Sequence, residues 1–182
     1  MPDLRTRLRV GFHWRGGPDV VFADITEWWR DPVVLRDLPA ALSALIPGEP
    51  TVVLGPASRG TLLGALVAAH LGVGLVEVRK NDRVAEHGPR LYASRRLPAG
   101  YHEGGARLSF RRALVRPHDR VLCVDDWVES GGQALAIREM VTEIGAAWLG
   151  LACVVEDLGE RDEIRGRLGV RALMTADELL DD

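Results

Sequence analysis

Two adjacent carboxylates, Asp125 and Asp126, follow the apolar run Val121-Leu122-Cys123-Val124, and a small-residue loop, Ser130-Gly131-Gly132, comes just after them. An unbroken apolar run of that length predicts a short strand buried on both faces, as in a parallel sheet covered by helices. The acids then stand at the strand's carboxyl end, where open α/β sheets hold their ligands. The glycine loop opens a predicted helix whose apolar face is Ile137, Met140, Val141 and Ile144. A glycine-lined turn at a helix N-terminus offers backbone N–H groups and a positive dipole end to an anion. Together these residues describe a phosphate cradle with an acidic pair beside it. Adjacent acids after an apolar strand also occur in phosphoacceptor receiver domains, and a Gly-Gly turn also serves simply to join strand to helix.

The basic side chains have their own pattern. Gly55-Pro56-Ala57-Ser58-Arg59-Gly60 follows a strand predicted over Thr51–Leu54 and opens a helix with Leu62, Leu63, Leu66 and Val67 on one face and Gly72 as its stop. An arginine at a helix N-terminus opposes the helix dipole, a mismatch that a bound anion relieves. A second predicted strand, Leu75–Val78, ends in Arg79 and Lys80, and Lys80 is the only lysine in the chain. Both cysteines, Cys123 and Cys153, sit in apolar runs and read as small buried residues rather than as a disulfide or metal site.

These residues need a frame to hold them. The 182 residues suit one domain, 1–182, with a composition of 47% hydrophobic and 27% charged residues. A net charge of −3 with no basic stripe argues against nucleic-acid binding. Nowhere do enough apolar residues follow one another to span a membrane, and a cytoplasmic protein is expected. The N-terminal segment predicts a loop and a short strand over Val20–Ile25, a turn capped by Thr26 that carries Trp28 and Trp29, and a helix starting at Asp31-Pro32 that Pro39 kinks or splits. Residues 81 to 105 form a long polar excursion, with a possible strand at Leu91–Ser94, and read as a functional lid or a disordered tip. Further strands are predicted over Arg107–Leu114, Trp148–Val155 (followed by Glu156-Asp157) and Gly169–Met174, and Thr175 with Glu178 makes a capping box for a terminal helix. Strands alternating with helices imply a parallel sheet with right-handed crossovers.

The stretch from Val121 to Gln133 resembles the ribose-phosphate signature of the type I phosphoribosyltransferases. Val21-Phe22-Ala23-Asp24-Ile25-Thr26 followed by Asp31-Pro32, and the loop Ala57-Ser58-Arg59-Gly60, look most like the adenine phosphoribosyltransferases. The resemblance runs from about Val21 to Val155. It implies a central parallel sheet flanked by helices, with an N-terminal hood over about 1–50, a core over about 51–175 and a lid or flap over about 81–112. It implies transfer of the 5-phosphoribosyl group of phosphoribosyl pyrophosphate (PRPP) to a purine base, adenine first, with release of pyrophosphate, in purine salvage.

By the same resemblance, Asp125 and Asp126 hold the ribose hydroxyls, and Val128, Glu129, Ser130, Gly131, Gly132 and Gln133 surround the 5′-phosphate. Ala57, Ser58, Arg59 and Gly60, with a cis peptide at Ala57–Ser58, take the pyrophosphate together with Arg79, Lys80 and a loop residue, Arg83. Val21, Phe22 and Ala23 cap the base. Mg²⁺ rides on PRPP and water rather than on a protein cage. Glu103 or His102, in the lid, and Glu129 are the candidates for proton handling. A homodimer is implied, with Trp28-Trp29 as apolar contact surface. The chain departs from the adenine pattern at Ala23 (usually arginine), at Gln133 (usually threonine) and at Glu129 (usually alanine, but aspartate in the 6-oxopurine enzymes). The lid also lacks the family's Leu-Glu-Tyr-Gly pattern, with Tyr101-His102-Glu103-Gly104 its nearest match. These departures leave room for another purine or heterocyclic acceptor, or for a PRPP-binding regulator without catalysis.

Overall fold

Asp3 caps the first helix, α1 (Leu4–Val10), by accepting the Thr6 N–H at 2.8 Å. The computed structural model describes residues 3–17, 20–81, 88, 90–97 and 105–179. After α1, strands β1 (His13–Gly17) and β2 (Val20–Asp24) form an antiparallel hairpin that pairs His13 with Asp24 and Gly16 with Val21. A 3₁₀ turn, Thr26–Trp29, follows. Its start is satisfied by Asp24 rather than Thr26: the Asp24 carboxylate accepts the Thr26 N–H at 3.0 Å and the Thr26 hydroxyl at 2.6 Å. Trp28, expected as a surface for a second subunit, is wholly buried, and its indole N–H donates to the Leu8 carbonyl at 2.8 Å. A large apolar ring whose one donor is satisfied inside the fold pins α1 against the turn.

Helix α2 (Pro32–Ser43) begins where Asp31-Pro32 predicts, with the Asp31 carboxylate accepting from Val33 N–H at 2.8 Å. Pro39 does not split it. The proline lies on the buried face with Leu38 and Leu42, where packing holds the turn together despite the missing N–H. The core follows as β3 (Val52–Pro56), α3 (Arg59–Leu71), β4 (Gly74–Lys80), β5 (Tyr92–Arg96), β6 (Arg107–Arg111), β7 (Arg120–Val128), α4 (Gly132–Ile144), β8 (Ala147–Glu156), α5 (Asp162–Leu168) and β9 (Val170–Thr175). One sheet has the order β5-β6-β4-β3-β7-β8-β9. Its strands are parallel from β4 through β9, and β6 and β5 add an antiparallel flap.

Alternation along the central strands divides the core. Val121 and Cys123 pack on one face with Ile137, Met140 and Val141 of α4, and Leu122 and Val124 pack on the other with Leu38 and Leu42 of α2 and Leu63 and Val67 of α3. Each fully buried aliphatic side chain contributes about 1.5–3 kcal/mol, so both helical layers hold the sheet and the loops at its carboxyl edge.

Several boundaries differ from the sequence reading. Strand β7 does not stop at Val124 but carries Asp125 and Asp126 inside it, because β8 goes on pairing alongside, Asp125 with Cys153 and Trp127 with Val155. Helix α3 buries Leu63, Gly64, Val67 and Ala68 while Leu62 is 55% exposed, so its inward face lies further round than the leucines suggested. Strand β6 ends at Arg111, and a 3₁₀ turn, Arg112–Leu114, takes the rest. Glu178 does reach back to the Thr175 N–H at 2.7 Å, but the described residues that follow form a 3₁₀ turn, Asp177–Leu179.

Candidate active site

Strands β3 and β7 pair only over Val52–Leu54 and Val121–Cys123. Beyond that they part: Gly55 and Pro56 stay with β4, and Asp125 and Trp127 stay with β8. The chain winds from β3 to β4 on one side and from β7 to β8 on the other, so the winding direction switches between β3 and β7. Open α/β sheets bind ligands at such a point. A cavity of about 590 Å³ lies there, lined by the loop Pro56–Gly60, by Lys80, by Asp125, Asp126, Trp127, Glu129 and Gln133, by Asp157, and by Trp14, Phe22 and Ala23 of the hairpin.

The loop after β3 is fixed by its own backbone. Ala57 N–H donates to the Val78 carbonyl at 2.8 Å, the Thr61 hydroxyl to the Gly55 carbonyl at 3.1 Å, and the Ala57–Ser58 peptide is cis. Gly60 is required by proximity, since a Cβ there would lie 2.7 Å from Asp125 Oδ1 and 2.7 Å from the Pro56 ring. The guanidinium Nη1 of Arg59 donates to Asp126 Oδ2 at 2.9 Å, with Arg59 48% and Asp126 11% exposed. The charge that opposed the helix dipole thus faces a carboxylate. Asp125 accepts the Asp126 N–H at 2.9 Å. Burial pushes the Asp125 carboxyl well above the usual carboxylate range; the negative charge of Asp126 adds to this, and Lys80 opposes it.

A smaller cavity of about 110 Å³ runs along Val128–Ala134 and shares Asp125, Trp127, Glu129 and Gln133 with the larger one. Gly131 caps α4 in a left-handed conformation, φ 72°, and makes no side-chain cap, so no side chain of the cap competes with an anion for the first-turn N–H groups. Ile164 of α5 packs against Gly131 from behind, and a Cβ there would meet its Cγ2 at 2.6 Å.

The structure brings Ala57, Ser58, Arg59, Gly60, Lys80, Asp125, Asp126, Glu129, Gln133, Phe22 and Ala23 to the larger cavity, and Val128, Ser130, Gly131 and Gly132 to the smaller one. Of Val21 the structure describes the backbone, paired with Gly16. Arg79 does not line the cavity. Alternate residues of β4 face opposite ways, and Arg79 turns with Glu77, to which its Nε donates at 2.6 Å, while Lys80 turns inward. Arg83, His102 and Glu103 lie outside the described residues.

Trp14, Trp127 and Asp157 are among the lining residues that the sequence did not single out. Trp127 stacks on Phe12 with ring centroids 5.8 Å apart and 18° between planes, and meets Trp14 edge-on at 5.9 Å and 76°. Its indole N–H donates to Asp157 Oδ2 at 3.3 Å. The signal was present: a tryptophan directly after the acid pair, and an acid, Asp157, directly after the apolar run of β8. Burial raises the Asp157 carboxyl above its usual range, Glu129 and Asp177 push it the same way, and the Trp127 hydrogen bond and Arg161 oppose this.

The arrangement puts cations at one end, a carboxylate pair in the middle, an anion cradle below and an aromatic, acidic wall at the other end. Residues 34–168 match the family model for the phosphoribosyl transferase domain. An adenine phosphoribosyltransferase of a Synechococcus strain is 38% identical over 159 residues, covering 85% of each chain. That of Albidiferax ferrireducens is 34% identical over 167 residues, covering 89% of this chain and 82% of the relative. Among solved structures, the adenine phosphoribosyltransferase of Rhodothermus marinus superposes with a TM-score of 0.78 at 29% identity, covering 94% of this chain and 97% of the other. The Trypanosoma brucei enzyme, in complex with AMP, pyrophosphate and ribose-5-phosphate, shares the fold at a TM-score of 0.81 and 23% identity, covering 98% of this chain and 81% of the other.

Proposed function

Because this chain belongs to the phosphoribosyltransferase family, among the adenine phosphoribosyltransferases, we propose that it transfers the 5-phosphoribosyl group of PRPP to adenine, forming AMP and releasing pyrophosphate. The observation that carries this is a cavity that brings Arg59 and Lys80 to the Asp125–Asp126 pair, joined through Glu129 and Gln133 to the smaller cavity along the Ser130–Gly132 loop.

In this reading the anomeric C–O bond breaks as a ring nitrogen of the base forms a C–N bond, so positive charge grows on the ribose and negative charge on the leaving pyrophosphate. Arg59 and Lys80 hold the pyrophosphate and offset its charge. Asp125 and Asp126 accept from the ribose hydroxyls and stabilise the cationic sugar electrostatically. The Gly131–Gln133 backbone fixes the 5′-phosphate and thereby the ring. Glu129, which lines both cavities, takes in this reading the proton that the attacking nitrogen sheds.

No group of three or more His, Cys, Asp or Glu side chains able to hold a metal occurs among the described residues. An Mg²⁺ here would take its ligands mainly from PRPP and water, with Asp125 and Asp126 the carboxylates beside it. When bound, that ion neutralises phosphate charge on the leaving group. The proposal extends to a cytoplasmic homodimer, checked by light scattering at micromolar concentration; Trp28, being buried, supplies none of its surface.

Pure protein with PRPP, Mg²⁺ and a panel of bases should release pyrophosphate, with AMP from adenine. Release with no base would overturn the assignment. Glu129, a carboxylate where adenine enzymes usually carry alanine and 6-oxopurine enzymes aspartate, lines the cavity and favours one second reading, an acceptor other than adenine, and the same panel decides between them.

A further inference from the structure

We propose that Asp157 is a specificity-determining residue that accepts a hydrogen bond from an exocyclic amino group of the acceptor heterocycle, while the Trp127 ring supplies the surface beside it. This rests on the phosphoribosyl-transfer reading above. The order of the sheet assigns the ends of the cavity. Lys80 ends β4, the Arg59 loop follows β3, the acid pair lies on β7 and Asp157 follows β8, so these groups succeed one another across β4-β3-β7-β8. With the leaving anion at the Arg59–Lys80 end and the ribose at the acids, the acceptor occupies the remaining end. The walls there are Trp14, Phe22, Ala23, Trp127 and Asp157.

The chemistry of that end selects for donors. One oxygen of Asp157 is held by the Trp127 indole N–H at 3.3 Å, and its other oxygen receives no donor among the described residues. Trp127 is itself fixed between Phe12 and Trp14, so the carboxylate it holds is oriented before any ligand arrives. Glu129 and Asp177 add negative potential around Asp157. An amino group placed there satisfies the open oxygen, whereas an oxo group turns lone pairs toward lone pairs and leaves a half-buried acceptor unpaired. A site built to hydrogen-bond a donor rejects the analogue lacking it by up to about 10⁴–10⁵ when fully desolvated. At this half-buried position a preference of about 10–100-fold is expected, smaller because water still reaches the group.

The test is the ratio of kcat/KM for adenine to that for hypoxanthine at saturating PRPP, measured on the parent, Asp157→Asn and Asp157→Leu, with the PRPP Kd followed by calorimetry. Asp157→Asn can keep its bond to Trp127 through the amide oxygen while presenting N–H groups to the base. Both variants should lower the adenine-to-hypoxanthine ratio at least tenfold and leave the PRPP Kd unchanged. A ratio that does not move, or an equal loss on both bases accompanied by weaker PRPP binding, overturns the role of Asp157. A parent that prefers hypoxanthine overturns it too but leaves phosphoribosyl transfer standing. A parent that transfers to no base overturns both.

Discussion

Arg59 Nη1 and Asp126 Oδ2 lie 2.9 Å apart across the floor of the cavity, joining the group that would take pyrophosphate to one that would take ribose before either is bound. Ligand entry must exchange this contact for others. Arg59→Ala should therefore lower kcat/KM for PRPP by about 100-fold, the scale of a charge-assisted hydrogen bond. Its effect on melting should be small, because an ion pair with half of its arginine in solvent is worth at most about 1 kcal/mol. Arg59→Lys should recover only part of the activity, a compact ammonium being unable to reproduce the planar fork. Initial rates and thermal melts check both, and an alanine variant with parental kcat/KM would remove Arg59 from pyrophosphate binding.

Asp125→Asn should raise thermal stability at neutral pH while removing turnover. The folded-state pKa of Asp125 lies above its unfolded value, through burial first and then the charge of Asp126. Its contribution to stability is therefore fully present below the ordinary carboxylate range and is lost as pH rises through the raised folded value. At neutral pH the buried carboxyl group carries a cost relative to the unfolded chain that asparagine removes, and at about pH 4 or below, near the ordinary carboxylate range, the two proteins should melt alike. A lower melting temperature for the variant at both pH values would contradict the sign.

Glu129→Gln tests whether Glu129 is the base, and Glu129→Ala tests whether it shapes the choice of acceptor. If Glu129 takes the proton of the incoming base, kcat should fall by about 10²–10⁴-fold with PRPP binding nearly intact. Glu129→Ala restores the residue usual in adenine enzymes and should then shift base preference. An alanine variant indistinguishable from the parent on every base would end the idea.

Gly131→Ala should damage the phosphate cradle from behind. The left-handed φ of 72° costs a non-glycine residue about 1 kcal/mol or more. The added methyl also falls 2.6 Å from Ile164 Cγ2. A second change, Ile164→Ala, should recover part of the loss, and strictly additive melting shifts would show that the contact is not the cause.

The central part of this architecture was legible because the sequence states it locally. Buried runs such as Val121–Val124 have one reading in an alternating α/β chain, and Asp31-Pro32 and Gly72 punctuate helices by their own backbone chemistry. What was not legible depends on contacts between distant segments. Asp125 and Asp126 belong to β7 because β8 pairs with them. Trp28 is buried because α1, a short helix with little apolar periodicity, offers the Leu8 carbonyl to its indole. The aromatic wall joins Phe12 and Trp14 from the N-terminal segment to Trp127 from β7, and no local pattern announces such a meeting.

Among the described residues, the flap strand β5 forms one margin of the sheet. An uncovered margin presents unpaired backbone N–H and C=O groups that another molecule's strand can extend, the usual first step toward aggregation. Here that margin carries Arg95 and Arg96, and Arg95 is tied to Glu139 and Glu143 of α4 at 3.3 and 2.7 Å. A strand adding there would have to strip water from these guanidinium groups or break their carboxylate contacts. In a chain whose net charge is only −3, colloidal stability along this side of the molecule rests on where the arginines stand more than on overall repulsion between molecules.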